Sequence, residues 1–290
     1  MPRYSLHVNC MMNRQIRLSD YRLIVFDIDG TIQDSNHSLH PYTKGVLLRL
    51  HDANIPFTLA TGKNLPAVKP LAKTLGITLP LILSNGCMLQ TVDGKEIEKY
   101  VLPIEITQQV IGICEAGGWD LAIYLDEGIY IKRMTHNMAL LMDYGSPGLI
   151  EIGDWANIAD RLNEAHKCLV VERSSPRKVY ELETVYEREL GGKVEYCHTL
   201  VGMLEVMPKG VSKLSAIRRL SEMLGISMEE VMTFGDGNND VEMLEGAGLG
   251  ITMENGSDLA KASANLTIAS SDENGPAKFL DKLLERQQQK

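Results

Sequence analysis

Two aspartates, two residues apart, are the first groups in this chain that could do chemistry. Asp27 and Asp29 close the run Ile24-Val25-Phe26-Asp27-Ile28-Asp29-Gly30-Thr31, an apolar, β-prone stretch ending in a Gly-containing turn. In extended backbone, positions i and i+2 project to the same side, so the two carboxylates can share one site. Bare carboxylates that close repel, and the repulsion is relieved by a proton on one or a cation between them. A hard divalent ion with oxygen ligands, Mg²⁺ first, is the simplest answer. Alone, the string also reads as a strand ending in a polar turn, and the downstream chain decides between the two.

Apolar stretches at 22–28, 55–60 and 79–83 alternate with helical patterns at 41–54 and 66–75. That rhythm predicts a parallel sheet with helical crossovers. Each strand ends in a small polar turn: Asp27 to Thr31, Thr61-Gly62-Lys63, and Ser84-Asn85-Gly86. A later strand at 231–234 runs into Gly235-Asp236-Gly237-Asn238-Asn239-Asp240. Ligands of open α/β sheets bind at the carboxyl ends of the strands. A helix from Ser212 can bring Lys213 to the same rim. Clustered carboxylates need a cation, and a hydroxyl, amides and an ammonium around a cation suit a bound phosphate. Asp27 then serves as a carboxylate nucleophile forming an aspartyl-phosphate. Asp29 can protonate the leaving oxygen and later activate water. The metal and Lys213 offset charge on the transferring group.

The texture changes between the third and last of these turns. Asp93-Gly94 and Asp126-Glu127-Gly128 are hairpin signals, and helical patterns at 104–116, 155–165 and 176–190 mix with strands at 121–124, 129–132, 167–172, 193–197 and 204–206. The fold class expected is α/β: a Rossmann-like core of residues 21–90 and 203–290, with an α+β domain inserted at 91–202. Residues 1–20 read as an N-terminal extension, with Met12 an alternative start. Beyond Pro208 come helices at 212–224, 241–245, 257–262 and 277–286 and strands at 249–252 and 266–268. Ser227-Met228-Glu229-Glu230 resembles a capping box.

Bulk properties narrow the classes of function. The 290 residues give about two domains as a soft prior. A net charge of −9 argues against nucleic-acid binding, which needs clustered Lys and Arg. A small anionic substrate needs only a local positive site. Five scattered cysteines without C-x-x-C spacing point to neither a disulfide framework nor zinc, and suit a cytoplasmic setting. The N-terminus lacks a signal-peptide apolar region, and no run is long enough to span a membrane.

The motifs resemble a known family. Asp27-Ile28-Asp29-Gly30-Thr31, Thr61-Gly62, Lys213 within Pro208-Lys209-Gly210-Val211-Ser212-Lys213, and Gly235 to Leu244 are similar in order and spacing to the four motifs of the haloacid dehalogenase superfamily. The insertion resembles the C2B cap of its Cof-type hydrolases. The resemblance implies a mobile cap and a phosphatase of small phosphorylated metabolites, such as sugar phosphates or phosphorylated cofactors. It implies Asp27 as nucleophile and, with Asp236 and the backbone carbonyl of Asp29, as Mg²⁺ ligand. Asp29 becomes the general acid/base. Thr61 and the Gly62 amide bind phosphate, Lys213 neutralises nucleophile and phosphoryl group, Asn239 lies near the phosphate, and Asp240 stands behind the metal ligands. Ser84 and Asn85 join the substrate side. Lys63 departs from the usual Arg and loses a bidentate fork. Pro276 replaces the usual Val.

Other readings stand beside these. Lys209 competes with Lys213, and Asp240 could cap the next helix. His37 and His40 read as surface-loop residues rather than a metal pair. Tyr124, Asp126 and Tyr130 read as hairpin packing, and Cys87 as a small buried filler. A phosphomutase using the same aspartyl-phosphate, or a sensor binding the phosphometabolite without turnover, are the alternatives in function. A monomer or homodimer fits equally.

Overall fold

The computed structural model describes residues 16–145 and 148–288. Most of the expected extension at 1–20, Met12 included, lies outside the described residues, as do Cys10 and the end of the Gln-rich tail. In chain order the regular elements begin with β1 (Leu23–Phe26), α1 (Pro41–Asp52), β2 (Phe57–Leu59), α2 (Leu65–Thr74), β3 (Leu81–Leu83), β4 (Met88–Gln90) and β5 (Glu96–Lys99). They continue with α3 (Ile104–Gly117), β6 (Asp120–Leu125), β7 (Gly128–Ile131), α4 (His136–Asp143), β8 (Leu149–Glu151), β9 (Lys167–Val171), α5 (Lys178–Leu190), β10 (Val194–Cys197) and β11 (Met203–Pro208). Last come α6 (Lys213–Leu224), β12 (Val231–Phe234), α7 (Val241–Gly246), β13 (Leu249–Met253), α8 (Asp258–Ser263), β14 (Leu266–Ile268) and α9 (Gly275–Gln288).

The chain forms two compact units. The first takes residues up to Thr58, Leu220–Asp236 and Asp240 onward; the second takes Leu59–Arg219 and Gly237–Asn239.

The first unit is built on a parallel sheet in the order β14-β13-β12-β1-β2. Every residue of β1, β12 and β13 is buried, as expected of parallel strands covered on both faces. Phe26 stacks on Phe234 with ring centroids 4.9 Å apart, and Phe57 and Phe279 meet these rings edge-on. Helix α1 starts at Pro41, whose fixed φ suits a first turn, with His40 accepting from the Tyr42 amide. It is tied to α9 through Asp281, which pairs with Arg49 and accepts from the Tyr42 hydroxyl at 2.8 Å.

The second unit carries a six-stranded sheet, β10-β11-β9-β6-β7-β8, and a three-stranded one, β3-β4-β5. In the larger sheet β9 is flanked by antiparallel β6 and β11. One face, with Ile123, Cys168, Val170, Leu204 and Val206, packs against Val110, Cys114, Val179 and Tyr186 of α3 and α5. The other, with Ala122, Leu169 and Val171, packs against Met138 and Leu141 of α4. Helix α4 and strand β8 have no counterpart in the sequence reading. Residues 155–164, expected as an α-helix, are instead a kinked 3₁₀ segment, with Ile158 at φ −129° and ψ 22°. The Asp154 carboxylate holds the Ala156 amide at its start, and Asn157 turns its amide onto the Ile152 carbonyl.

Candidate active site

Site residues of the first unit sit at the carboxyl ends of β1 and β12. The register Phe26↔Phe234 sets these ends side by side, and the Asp27 amide continues the ladder onto the Phe234 carbonyl at 2.9 Å. The chain then folds tightly. The amides of Thr31, Ile32 and Gln33 all donate to the Ile28 carbonyl. Gly30 has φ +71°, a left-handed value that L-residues rarely adopt, and a Cβ there would run into the Asp236 carboxylate.

Carboxylate oxygens of Asp27, Asp236 and Asp240 all lie within 4.8 Å of one another. Asp27 and Asp240 are buried. Thr31 Oγ1 donates to Asp236 Oδ1 at 3.1 Å, and the Asp236 amide donates to Asp240 Oδ2 at 3.0 Å. The Asp236 carbonyl is held by the Ser257 amide at 2.8 Å. Asp240 therefore turns back on its own loop, beyond the helix-capping alternative. Three close carboxylates without a cation would be strongly repulsive. As a set of hard oxygen donors they fit Mg²⁺. Asp29 is more exposed than Asp27, and its Oδ1 lies 2.9 Å from His37 Nδ1. The sequence reading left His37 in the surface loop. A lone His ten residues after Asp27 carries no motif signal, and only the folding of the loop brings it to Asp29.

The second unit brings together Thr61, Gly62, Ser84, Asn85, Asn239 and the start of α6. The Thr61 amide donates to Ile82, the Ser84 amide to Lys63 at 3.0 Å, and the Asn85 amide to Thr61 at 2.9 Å. Ser84 and Asn85 both have positive φ, +50° and +55°, an uncommon state for two consecutive non-Gly residues. Gly86 follows at φ +100°, where a Cβ would strike the Ser212 carbonyl, so the turn rests directly on the chain entering α6. Ser212 and Ser215 exchange amide-to-hydroxyl bonds there. Lys213 is buried, whereas its competitor Lys209 is exposed and paired with Glu195 at 2.9 Å. Asn239 Nδ2 donates to Asn85 Oδ1 at 3.0 Å.

Three further residues of this unit escaped the sequence reading. His166 Nε2 lies 3.1 Å from Ser84 Oγ. Lys167 Nζ donates to the Gly62 carbonyl at 2.8 Å and to Glu205 Oε1 at 2.9 Å, and Glu205 accepts from Asn85 Nδ2. All three are buried. Burial drives the His166 pKa down to about 3, so the ring is neutral. Burial alone would lower Lys167, but the Glu205 carboxylate and the Tyr124 ring raise it overall. The available signal was Glu205 within the apolar run Met203 to Pro208, since a charge there demands a partner. Of the hairpin residues, Tyr124 lies under Lys167 Nζ at 4.1 Å, Asp126 pairs with Lys99 at 2.6 Å, and Tyr130 bonds Glu127 and Arg161. Cys87 is buried, and burial raises its thiol pKa far above the usual range.

A parallel α/β sheet with a carboxylate cluster at its strand ends places the chain in the class of open α/β proteins whose ligands bind at the carboxyl ends of the strands. Known proteins make the class specific. The profile of the haloacid dehalogenase-like hydrolases matches residues 24–280. A Yersinia pestis protein named HMP-PP phosphatase is 29% identical over 236 residues, covering 81% of this chain and 84% of that one. A haloacid dehalogenase-like hydrolase from Bacteroides thetaiotaomicron superposes with a TM-score of 0.80 at 25% identity, over 91% of this chain and 99% of the other. The structure of a HAD subclass IIB sugar phosphatase matches at TM-score 0.79 and 22% identity, over 90% and 98%. The chain belongs to the haloacid dehalogenase-like hydrolase family, and it is an enzyme of the phosphoric monoester hydrolase class. No helix among the described residues is long and apolar enough to cross a membrane.

Proposed function

We propose that the chain is a Mg²⁺-dependent cytoplasmic phosphatase that hydrolyses small phosphorylated metabolites through an aspartyl-phosphate on Asp27. The observation that carries this reading is the Asp27, Asp236 and Asp240 cluster at the ends of two adjacent parallel strands. Asp27, Asp236 and the Asp29 carbonyl would hold the ion, with Asp240 fixing Asp236 through its amide. When bound, Mg²⁺ supplies positive charge against the phosphoryl oxygens.

The chain's own groups do the rest. Asp27 attacks phosphorus, and the ester P–O bond breaks while Asp29 delivers its proton to the leaving oxygen. Asp29, now a carboxylate, takes a proton from water as that water attacks the aspartyl-phosphate. Phosphate leaves and Asp27 is restored. Thr61, the Gly62 amide and Lys213 receive the phosphoryl oxygens, with Ser84, Asn85 and Asn239 behind them. His37 orients the Asp29 carboxylate. Substrate preference belongs to the inserted segment at 91–202, acting as a cap. The relatives' names make HMP-PP and sugar phosphates the first substrates to try.

The test is phosphate release from a metabolite panel with and without Mg²⁺, beside Asp27→Asn. We expect release only by the parent enzyme with metal. Equal rates for Asp27→Asn would overturn the nucleophile, and full activity in excess chelator would overturn the metal.

A further inference from the structure

We infer that the buried pair Lys167–Glu205 is a positioning device, which aims the phosphate-binding amide of Gly62 and the Asn85–Asn239 amides. The inference rests on the phosphatase reading, and its footing is geometric. Lys167 opens β9 and Glu205 lies in the neighbouring antiparallel strand β11. The register Glu205↔Leu169 makes the two diagonal neighbours on one sheet face. Lys167 is 1% and Glu205 4% exposed in their side chains.

Each partner also holds a turn that carries site residues. Lys167 Nζ holds the Gly62 carbonyl at 2.8 Å and lies over the Tyr124 ring. Glu205 takes the Asn85 side-chain amide and the Thr199 hydroxyl, the latter at 3.3 Å. Asn85 passes the constraint on, because its Oδ1 accepts from Asn239 Nδ2.

The consequence for Gly62 follows from peptide planarity. The Asn85 amide pins the Thr61 carbonyl at 2.9 Å, and in a trans peptide the Gly62 N–H points the opposite way. Lys167 then fixes the next peptide plane through the Gly62 carbonyl. Both sides of the donor are thereby set before any phosphate arrives. The left-handed backbone of Ser84 and Asn85 costs free energy and persists only when its surroundings over-determine it. His166 on Ser84 and Glu205 on Asn85 supply those surroundings. A buried ion pair adds little net stability over an apolar replacement, so its presence here calls for another role.

The test compares Lys167→Met/Glu205→Leu and Glu205→Gln with the parent enzyme. The double variant removes both charges together, so neither is left buried alone. The isosteric Glu205→Gln keeps the side-chain volume and one carbonyl acceptor for Lys167 Nζ, which can shed its proton to avoid a buried lone charge, so this variant stands in where the double variant does not fold. Readouts are thermal melting, kcat and KM on p-nitrophenyl phosphate, and inhibition by inorganic phosphate. We expect a cooperative melt in at least Glu205→Gln, a fall in kcat of about tenfold or more in the double variant, and phosphate inhibition weakened several-fold in both. A purely structural pair would move melting and leave kcat and phosphate inhibition alone. Folded variants within twofold of the parent on both kinetic readouts would overturn the inference. A parent enzyme without turnover on any phosphoester would overturn the phosphatase reading instead, so the two failures are distinguishable.

Discussion

Gly30→Ala is the sharpest probe of the carboxylate cluster, and Gly45→Ala is its control. At position 30 the new methyl faces two costs. The backbone sits at φ +71°, where an L-residue loses roughly 1 kcal/mol. The Cβ also falls within the Asp236 carboxylate, which must then swing away from Asp27 and Asp240 and out of its bond to Thr31. Stability should fall by about 1–2 kcal/mol, or roughly 2–8 °C in Tm. Metal affinity should fall as well, because a displaced carboxylate would no longer complete the proposed ligand set. We expect the Mg²⁺ concentration for half-maximal activity to rise about tenfold or more. Gly45 lies in α1 with nothing within 4 Å of a built Cβ, so Ala there should stabilise by about 0.5–1 kcal/mol with an unchanged Mg²⁺ titration. The assay is initial rate against Mg²⁺ for the three proteins, alongside calorimetric melting. A Gly30→Ala enzyme with the parent's Mg²⁺ titration would refute the steric reasoning and the assignment of Asp236 to the metal.

Three further outcomes are expected. Asp29→Asn should lower kcat by about 10²–10⁴-fold while preserving the fold, checked by single-turnover kinetics, because it removes a proton carrier and no core contact. Removing Mg²⁺ with chelator should abolish turnover and lower Tm, both reversed by adding the ion back, since three close carboxylates then repel without compensation. His166 makes folding acid-sensitive. Its pKa is depressed to about 3 in the folded protein against 6.5 when exposed, so the unfolded chain binds the extra proton and stability falls as pH drops below about 6.5. Between pH 7 and pH 5 the loss from this one ring is about 2 kcal/mol, and denaturant melts of His166→Gln should show a correspondingly shallower pH dependence.

Much of the fold was legible because its signals are local. The apolar run before Asp27, the Gly-containing turns and the Pro41 helix start each say what the chain does within a few residues. The α4–β8 segment was missed because His136 to Asp143 is short and only partly apolar, and β8 is an edge strand with exposed residues. The 3₁₀ segment at 155–164 was read as an α-helix because its spacing is amphipathic, and spacing alone does not register the break at Ile158. In the candidate site, Asp27, Asp29, Asp236, Asp240 and Lys213 stood out through motif spacing. His37, His166, Lys167 and Glu205 did not: His37 meets Asp29 only through the folding of its own loop, and the other three gain their meaning from partners distant in the chain, as Glu205 meets Asn85 across 120 residues.

That distance has a consequence for how the enzyme comes off the ribosome. Thr31 and Asp236 are 205 residues apart, and β1 gains its neighbour β12 over a similar span. At about 5–20 residues per second, synthesis leaves roughly 10–40 s between the emergence of the two strands. During that interval Leu23 to Phe26, wholly buried in the finished sheet, lacks the strand that hydrogen-bonds one of its edges. Early folding of the intervening segment shortens the effective loop that must close. The long segment between Thr31 and Asp236 thus also sets the order of assembly, with the carboxylate cluster completed only after most of the chain has been made.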